Sequence, residues 1–172
     1  MGGVSAGAAP PSRGGATASV DLDFLMTTQP RIRRYEEDFM DRLARMFDAH
    51  PEPASGAGEE ALSAVTAAAE CMLVCTTCAD ACLVEEATMA ECIRLCLDCA
   101  DVCALVAKLV SRPGHQDRET LDRALEACVR ACEASADECE RHADGMEHCA
   151  ICARSCRDCA EACRRMAGAL VD

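Results

Sequence analysis

The cysteines of this chain stand out as candidates for chemistry, both by their number, 16 of 172 residues, and by their spacing. Fifteen of them form four groups with steps of four, three and four residues, Ser135 takes the remaining slot, and Cys149 precedes the last group. The groups are Cys71, Cys75, Cys78 and Cys82; Cys92, Cys96, Cys99 and Cys103; Cys128, Cys132 and Cys139; and Cys152, Cys156, Cys159 and Cys163. Such steps follow the face of an α-helix that a bundle buries. The spacing therefore predicts four helices whose thiols line a shared core.

The chemistry that suits these thiols is the binding of soft metal ions. Thiolates select Cu(I), Zn(II) and iron–sulfur clusters, and residues three or four apart on a helix have Cβ atoms about 5–6 Å apart. Cu(I) is favoured because an ion satisfied by two or three sulfurs suits a continuous row of thiols. Zinc usually takes closed sites of four ligands, and the usual iron–sulfur loop motif is absent. A zinc protein and an iron–sulfur or redox protein remain alternatives.

Two readings without metal are also open. Facing helices in a bundle lie about 8–10 Å apart, whereas a disulfide usually needs Cα atoms within about 7 Å, so a disulfide scaffold fits poorly. Cysteine can also fill a core as a small apolar residue. A structural interaction module therefore stays as an alternative, although Leu, Ile and Val would pack such a core better.

The elements that must position the thiols are helices. Helical patterns predict bundle helices over 59–85, 89–111, 117–142 and 145–170, with N-caps at Asp117 and Asp144. Short connections make neighbouring helices antiparallel. We therefore predict an all-α fold, an antiparallel four-helix bundle with an additional N-terminal helix. The predicted domains are a disordered tail over 1–28, an N-terminal helix and linker over 29–58, and the cysteine-lined bundle over 59–172.

The predicted bundle has two different ends. At one end the sequence places only apolar residues along the seam, which form a plug: Leu62, Val65, Val106, Val110, Leu121, Leu125, Met166 and Leu170. The other end collects thioether, imidazole and thiol groups, which are soft or borderline ligands. They are Met89, His142, Met146, His148 and Cys149. We predict that this end is the mouth through which metal enters and leaves.

Composition excludes several other classes of function. The net charge of −13 argues against nucleic-acid binding. The N-terminal residues lack the apolar segment of an export signal, and we expect the protein in the reducing cytoplasm. The sequence has no serine–histidine–aspartate or paired-carboxylate arrangement with a rationale for catalysis, so we do not expect an enzyme.

The run from Cys139 to Cys163, which includes His142, Met146, His148 and Cys149, resembles the cysteine-rich four-helix-bundle copper storage proteins. The resemblance covers about residues 60–170. It implies storage of many Cu(I) ions on core thiolates, with His and Met near the open end. It also implies a cytosolic location and, frequently, a homotetramer.

Two features depart from that family. Ser135 stands where a thiol is expected, which predicts a local gap in the row. The extension over 1–58 is longer than expected, and we predict that its helix packs on the first bundle helix, over apolar residues that lie off the seam: Met72, Leu73, Val74, Leu83 and Val84. An alternative role for the extension is that residues 20–26 dock to a larger assembly.

Overall fold

Helices make up nearly all of the described part of the chain. The computed structural model describes residues 34, 37–51, 58–85, 89–112, 114 and 117–170. A helical segment, α1, covers residues 37–48, and four long helices follow: α2 (Gly58–Cys82), α3 (Ala90–Val110), α4 (Arg118–Glu140) and α5 (Glu147–Ala169). Among the described residues there is no strand, and the all-α prediction is confirmed. The predicted disordered tail over 1–28 lies outside the described residues.

The four long helices form an antiparallel bundle. Helix α2 packs beside α3 and α5, and α4 packs beside the same two helices. Contacts at the helix ends fix the directions: Arg165, near the end of α5, pairs with Glu60 at the start of α2, at 3.2 Å. Along α4 and α5, Arg157 pairs with Glu140 and the later Arg164 pairs with the earlier Glu133, so these two helices run in opposite directions. The starts of α2 and α4 therefore lie at the same end as the ends of α3 and α5.

The helix boundaries test the predicted caps. The cap at Asp117 is confirmed, because its carboxylate accepts a hydrogen bond from the backbone N–H of Thr120, at 2.8 Å. The cap at Asp144 is wrong: the residue before the first turn of α5 is Met146. The reason is the turn over 141–145, in which the N–H of Met146 donates to the carbonyl of His142 at 3.0 Å and delays the start of the helix.

The core is built almost entirely from small side chains. All 16 cysteines are buried, with no more than 2% of each exposed, and buried alanines lie between them on all four long helices. The predicted plug closes the end where α2 and α4 begin. Val65, Val106, Leu121 and Leu125 are buried there, and Leu170, just after the end of α5, packs partly buried against the core. Larger hydrocarbon side chains are thus concentrated at one end of the thiol core.

By length and composition α2 is apolar enough to cross a membrane. In this fold, however, it carries Cys71, Cys75, Cys78 and Cys82 into the shared core, and its buried face is lined by alanine between them. The apolar composition of α2 is therefore that of a core helix.

Helix α1 packs on the bundle, but at a different place from the one predicted. Leu43 and Phe47 contact the hydrophobic core, and the hydroxyl of Thr66 in α2 donates to the sulfur of Met40, at 3.1 Å. Leu73 and Val84 remain 61% and 86% exposed. The predicted packing on the first bundle helix is therefore confirmed, but the predicted place is wrong, because α1 lies against the first half of α2 and leaves Leu73 and Val84 exposed.

The plug should stabilise the fold before any metal binds. Replacing Leu125, which is fully buried, with alanine should lower the free energy of unfolding of the reduced metal-free protein by about 2–5 kcal/mol. Anaerobic urea unfolding measures this. The matched control is Leu97→Ala, since Leu97 is 46% exposed and its truncation should change stability by less than about 0.5 kcal/mol. Equal losses in the two variants would contradict the role of the plug.

Candidate metal centre

The core sulfur atoms form a continuous row of contacts from the plug toward the mouth. Near the plug, the Sγ atom of Cys103 lies 3.7 Å from those of Cys128 and Cys132. In the middle, the Sγ atom of Cys99 lies 3.6 Å from Cys132 and 3.9 Å from Cys71. The row continues through Cys71–Cys75 at 3.8 Å, Cys75–Cys152 at 3.7 Å, Cys96–Cys152 at 3.9 Å, Cys96–Cys139 at 3.7 Å, Cys92–Cys139 at 3.6 Å and Cys82–Cys92 at 3.7 Å. Metal–thiolate bonds are about 2.3 Å long for zinc, so neighbouring sulfurs at these distances can share one ion.

Both same-helix and cross-helix pairs contribute to the row. The same-helix pairs in contact are four residues apart: Cys71–Cys75, Cys92–Cys96, Cys99–Cys103 and Cys128–Cys132, at 3.8–4.0 Å. The shortest contact among the described thiols joins Cys75 of α2 to Cys156 of α5, at 3.4 Å. An ion in this core can therefore take ligands from more than one helix and link the helices to each other.

Four thiols at a time come close enough to surround one ion. In five such groups the sulfur atoms all lie within 4.8 Å of one another. The groups are Cys71, Cys99, Cys103 and Cys132; Cys71, Cys75, Cys99 and Cys156; Cys78, Cys82, Cys92 and Cys149; Cys78, Cys92, Cys96 and Cys139; and Cys103, Cys128, Cys132 and Cys159. Because the groups share members, at most three of them can be filled as separate sites. Thiolates that bridge two ions would use the row more completely than closed four-ligand sites.

Every cysteine in the core is a free thiol. The 16 cysteines form no disulfide, and their closest described sulfur atoms are 3.4 Å apart, well beyond an S–S bond of about 2.05 Å. Burial raises the pKa of Cys149 to about 12, and repulsion from Cys139 and Cys82 adds to the effect. Burial likewise raises the pKa of Cys92. Cys92 and Cys149 therefore favour the neutral thiol, and an incoming cation must displace their protons.

Ser135 leaves one thiol position unfilled, as predicted, while the sulfur contacts continue around it. Its side chain is fully buried, and its hydroxyl donates to the Sγ atom of Cys96, at 3.6 Å. The flanking thiols on α4 find partners on α3: Cys132 lies 3.6 Å from Cys99, and Cys139 lies 3.6 Å from Cys92. The hydroxyl is a poor ligand for a soft ion, so the gap is confined to one position of the row.

The mouth brings together only some of the predicted ligands. The Nδ1 atom of His148 lies 3.5 Å from the Sγ atoms of both Cys78 and Cys149, so this imidazole faces the thiols directly. Met89 is buried in the core, and Met146 is partly buried and packs against the same core. In both cases the thioether lies at the correct end of the bundle.

The second mouth histidine faces a carboxylate. The Nε2 atom of His142 lies 3.2 Å from Glu138, whose side chain is buried and also pairs with Arg141. At His148 the Nε2 atom lies 3.1 Å from a carboxylate oxygen of Glu85. Neither glutamate was identified from the sequence. The four-residue step from Glu138 to His142 could have indicated the first pair, since residues four apart are neighbours on a helix. The second pair had no such signal, because Glu85 lies in a turn and is far from His148 in sequence.

Comparison with known proteins identifies the family. The family model described as copper storage protein matches residues 57–168, which span the four long helices. No curated protein matches the chain.

Solved structures show the same fold. The chain is similar to Ccsp, the copper storage protein of Streptomyces lividans, in a structure loaded with 10 copper equivalents: the two are 37% identical, the match covers 73% of this chain and 98% of that chain, and the TM-score is 0.71. A structure of a cytosolic copper storage protein from the same organism with five coppers is 41% identical, with 64% and 93% of the two chains covered and a TM-score of 0.62. A histidine-to-alanine variant of Ccsp is also 41% identical, covers 65% and 95%, and has a TM-score of 0.64.

These matches confirm the resemblance noted in the run from Cys139 to Cys163. The family match falls on the thiol-lined helices and leaves out only the extension and the last few residues. Since it spans most of the chain, this chain belongs to the copper storage protein family.

Proposed function

We propose that this protein stores Cu(I) in the cytosol by binding many cuprous ions to the thiolates that line its bundle core, and that it catalyses no reaction. The observation that carries the proposal is the unbroken row of sulfur contacts at 3.4–4.0 Å, from Cys128 near the plug to Cys82 at the mouth. A row of shared thiols suits an ion that needs only two or three sulfurs. Family membership and the copper-loaded neighbours support the same metal.

The mouth supplies the route by which copper reaches the row. His148 touches both Cys78 and Cys149, and its side chain is 25% exposed, so it joins the solvent to fully buried thiols. We propose His142, Met146 and Met89 as further ligands at this end. Reduced thiols are needed for this chemistry, and the reducing cytosol preserves them.

Capacity is the most direct test of storage. Anaerobic titration of the fully reduced metal-free protein with Cu(I), against a competing chelator, should saturate near 16 equivalents per chain, about one per cysteine. Each thiol that binds should release its proton, so binding should strengthen as the pH rises, and an indicator dye measures the protons. Saturation near four equivalents or fewer would overturn the proposal and favour closed four-thiolate sites of the zinc type.

The gap at Ser135 offers a second test of the row. Ser135→Cys restores a thiol in contact with Cys96 and should raise the Cu(I) capacity by about one ion per chain. Ser155→Cys is the matched control: Ser155 is also buried, on α5, but lies off the cysteine seam, and its thiol should leave the capacity unchanged. Capacity measured by elemental analysis of the loaded variants distinguishes the two. An equal gain in both would mean that any buried thiol, and not the row, determines capacity.

We further propose that the chain assembles as a homotetramer, which the family resemblance implies. Exposed apolar residues on α2 and α5 support a contact with a second copy: Leu73 is 61% and Ile151 50% exposed, and the two line one shallow groove. Docking of residues 20–26 to a larger assembly stays a prediction, since those residues lie outside the described part of the chain.

Analytical ultracentrifugation measures the mass of the assembly. The wild-type protein should have the mass of four chains, and Leu73→Asp should lower that mass, because the substitution buries a charge in an apolar contact. Leu105→Asp serves as the control, since Leu105 is comparably exposed, at 49%, but lies on α3. A single-chain mass for the wild type, or equal disruption by both variants, would contradict this assignment.

A further inference from the structure

The imidazole of His148 has close contacts on both of its ring nitrogens. Its Nε2 atom lies 3.1 Å from a carboxylate oxygen of Glu85, and its Nδ1 atom lies 3.5 Å from the Sγ atoms of Cys78 and Cys149. The two sulfur atoms belong to one group whose ligand atoms all lie within 4.8 Å of one another. The Nδ1 atom of His148 and the two sulfur atoms thus form a set of three possible ligand atoms. The Glu85 carboxylate contacts the opposite nitrogen of the same imidazole ring.

The carboxylate selects one tautomer of His148. A neutral imidazole carries its proton on one ring nitrogen and a lone pair on the other. Because a carboxylate can only accept a hydrogen bond, its contact with Nε2 places the proton on Nε2. The lone pair is then on Nδ1, which faces the thiols of Cys78 and Cys149. Carboxylates behind metal-binding histidines commonly fix the tautomer and the orientation of the ring in this way.

The local backbone explains how Glu85 reaches the imidazole. Helix α2 ends at Cys82, and the chain then turns, with the N–H of Val84 donating to the carbonyl of Ala81 at 3.2 Å. The turn brings Glu85 to the start of α5, where His148 is the second residue. The other mouth histidine shows the same pairing, with its Nε2 atom 3.2 Å from the buried Glu138.

We propose that Glu85 is a positioning residue for Cu(I) binding, which holds His148 in the tautomer and orientation that present Nδ1 to an ion shared with Cys78 and Cys149. This proposal rests on the proposed function, since it assigns a role at the mouth of the same thiol row. Glu85 itself does not bind the ion. Its contribution is made through the ring of His148.

The tautomer is observable without metal. In ¹⁵N-labelled reduced protein, the ring nitrogens of His148, assigned by their loss in His148→Gln, should show the proton on Nε2. Glu85→Ala should populate the Nδ1–H form, whereas Glu85→Gln should keep the wild-type tautomer, because the amide oxygen can accept the same hydrogen bond. Glu147→Ala removes an exposed carboxylate beside His148 and should leave the tautomer unchanged.

The effect on copper is measured in the same samples. In a series of chelator-buffered Cu(I) concentrations, the midpoint of the change in the His148 ring signals should move to concentrations about 10- to 100-fold higher in Glu85→Ala. Glu85→Gln and Glu147→Ala should stay near the wild type. In a His148→Ala background, adding Glu85→Ala should not weaken the binding of the first Cu(I) equivalents further.

An unchanged tautomer and midpoint in Glu85→Ala would overturn the positioning role, and so would the same loss in Glu147→Ala. A loss in Glu85→Gln equal to that in Glu85→Ala would also overturn it, since charge alone would then be responsible. Total Cu(I) capacity separates this proposal from the function on which it rests. If the wild type itself binds four equivalents or fewer, storage fails, whereas full capacity with an unaffected Glu85→Ala variant removes only the role of Glu85.

Discussion

The structure depends on packing 16 thiols into the seam of four helices while leaving their sulfur atoms free to bind. Thiols contribute less apolar surface than leucine or isoleucine, and stability rises with the apolar area buried. The chain compensates with alanines that let the helices approach and with larger residues gathered at one end, where Leu125 and Val106 are fully buried. The division between a hydrocarbon end and a sulfur-lined length follows from this constraint.

The same constraint explains why the ligands can be in place before the metal. Helices that form from alanine-rich sequence and an apolar plug need no ion to acquire their register, and their packing brings the sulfur atoms to within 3.4–4.0 Å of one another. Burial raises the pKa of Cys149 and favours its neutral form, and bound metal must supply compensating positive charge when the thiols ionise. Sixteen like charges in one core would otherwise repel each other.

Most of the centre could be predicted because helical spacing is a local property. The steps between Cys71, Cys75 and Cys78 determine a common face, and the buried thiols follow from it. The cap at Asp117 was predictable for the same reason. The position of Glu85 was not, because it depends on a turn after α2 and on the packing of α5 against that helix. The start of α5 at Glu147 likewise depends on hydrogen bonds within the turn over 141–145, which the spacing of polar residues does not reveal.

The hydrocarbon plug bears on the order in which ions would enter and leave the row of thiols. Val65, Val106 and Leu125 are buried across one end, so the proposed route through the mouth would serve both the entry and the release of ions. On that proposed route, ions would pass the positions nearer His148 before they reach those near Cys163 and Cys128. A store filled by this route would empty in order: the copper deposited deepest would be the last to leave, and the most recent arrival would be the first that a recipient could withdraw.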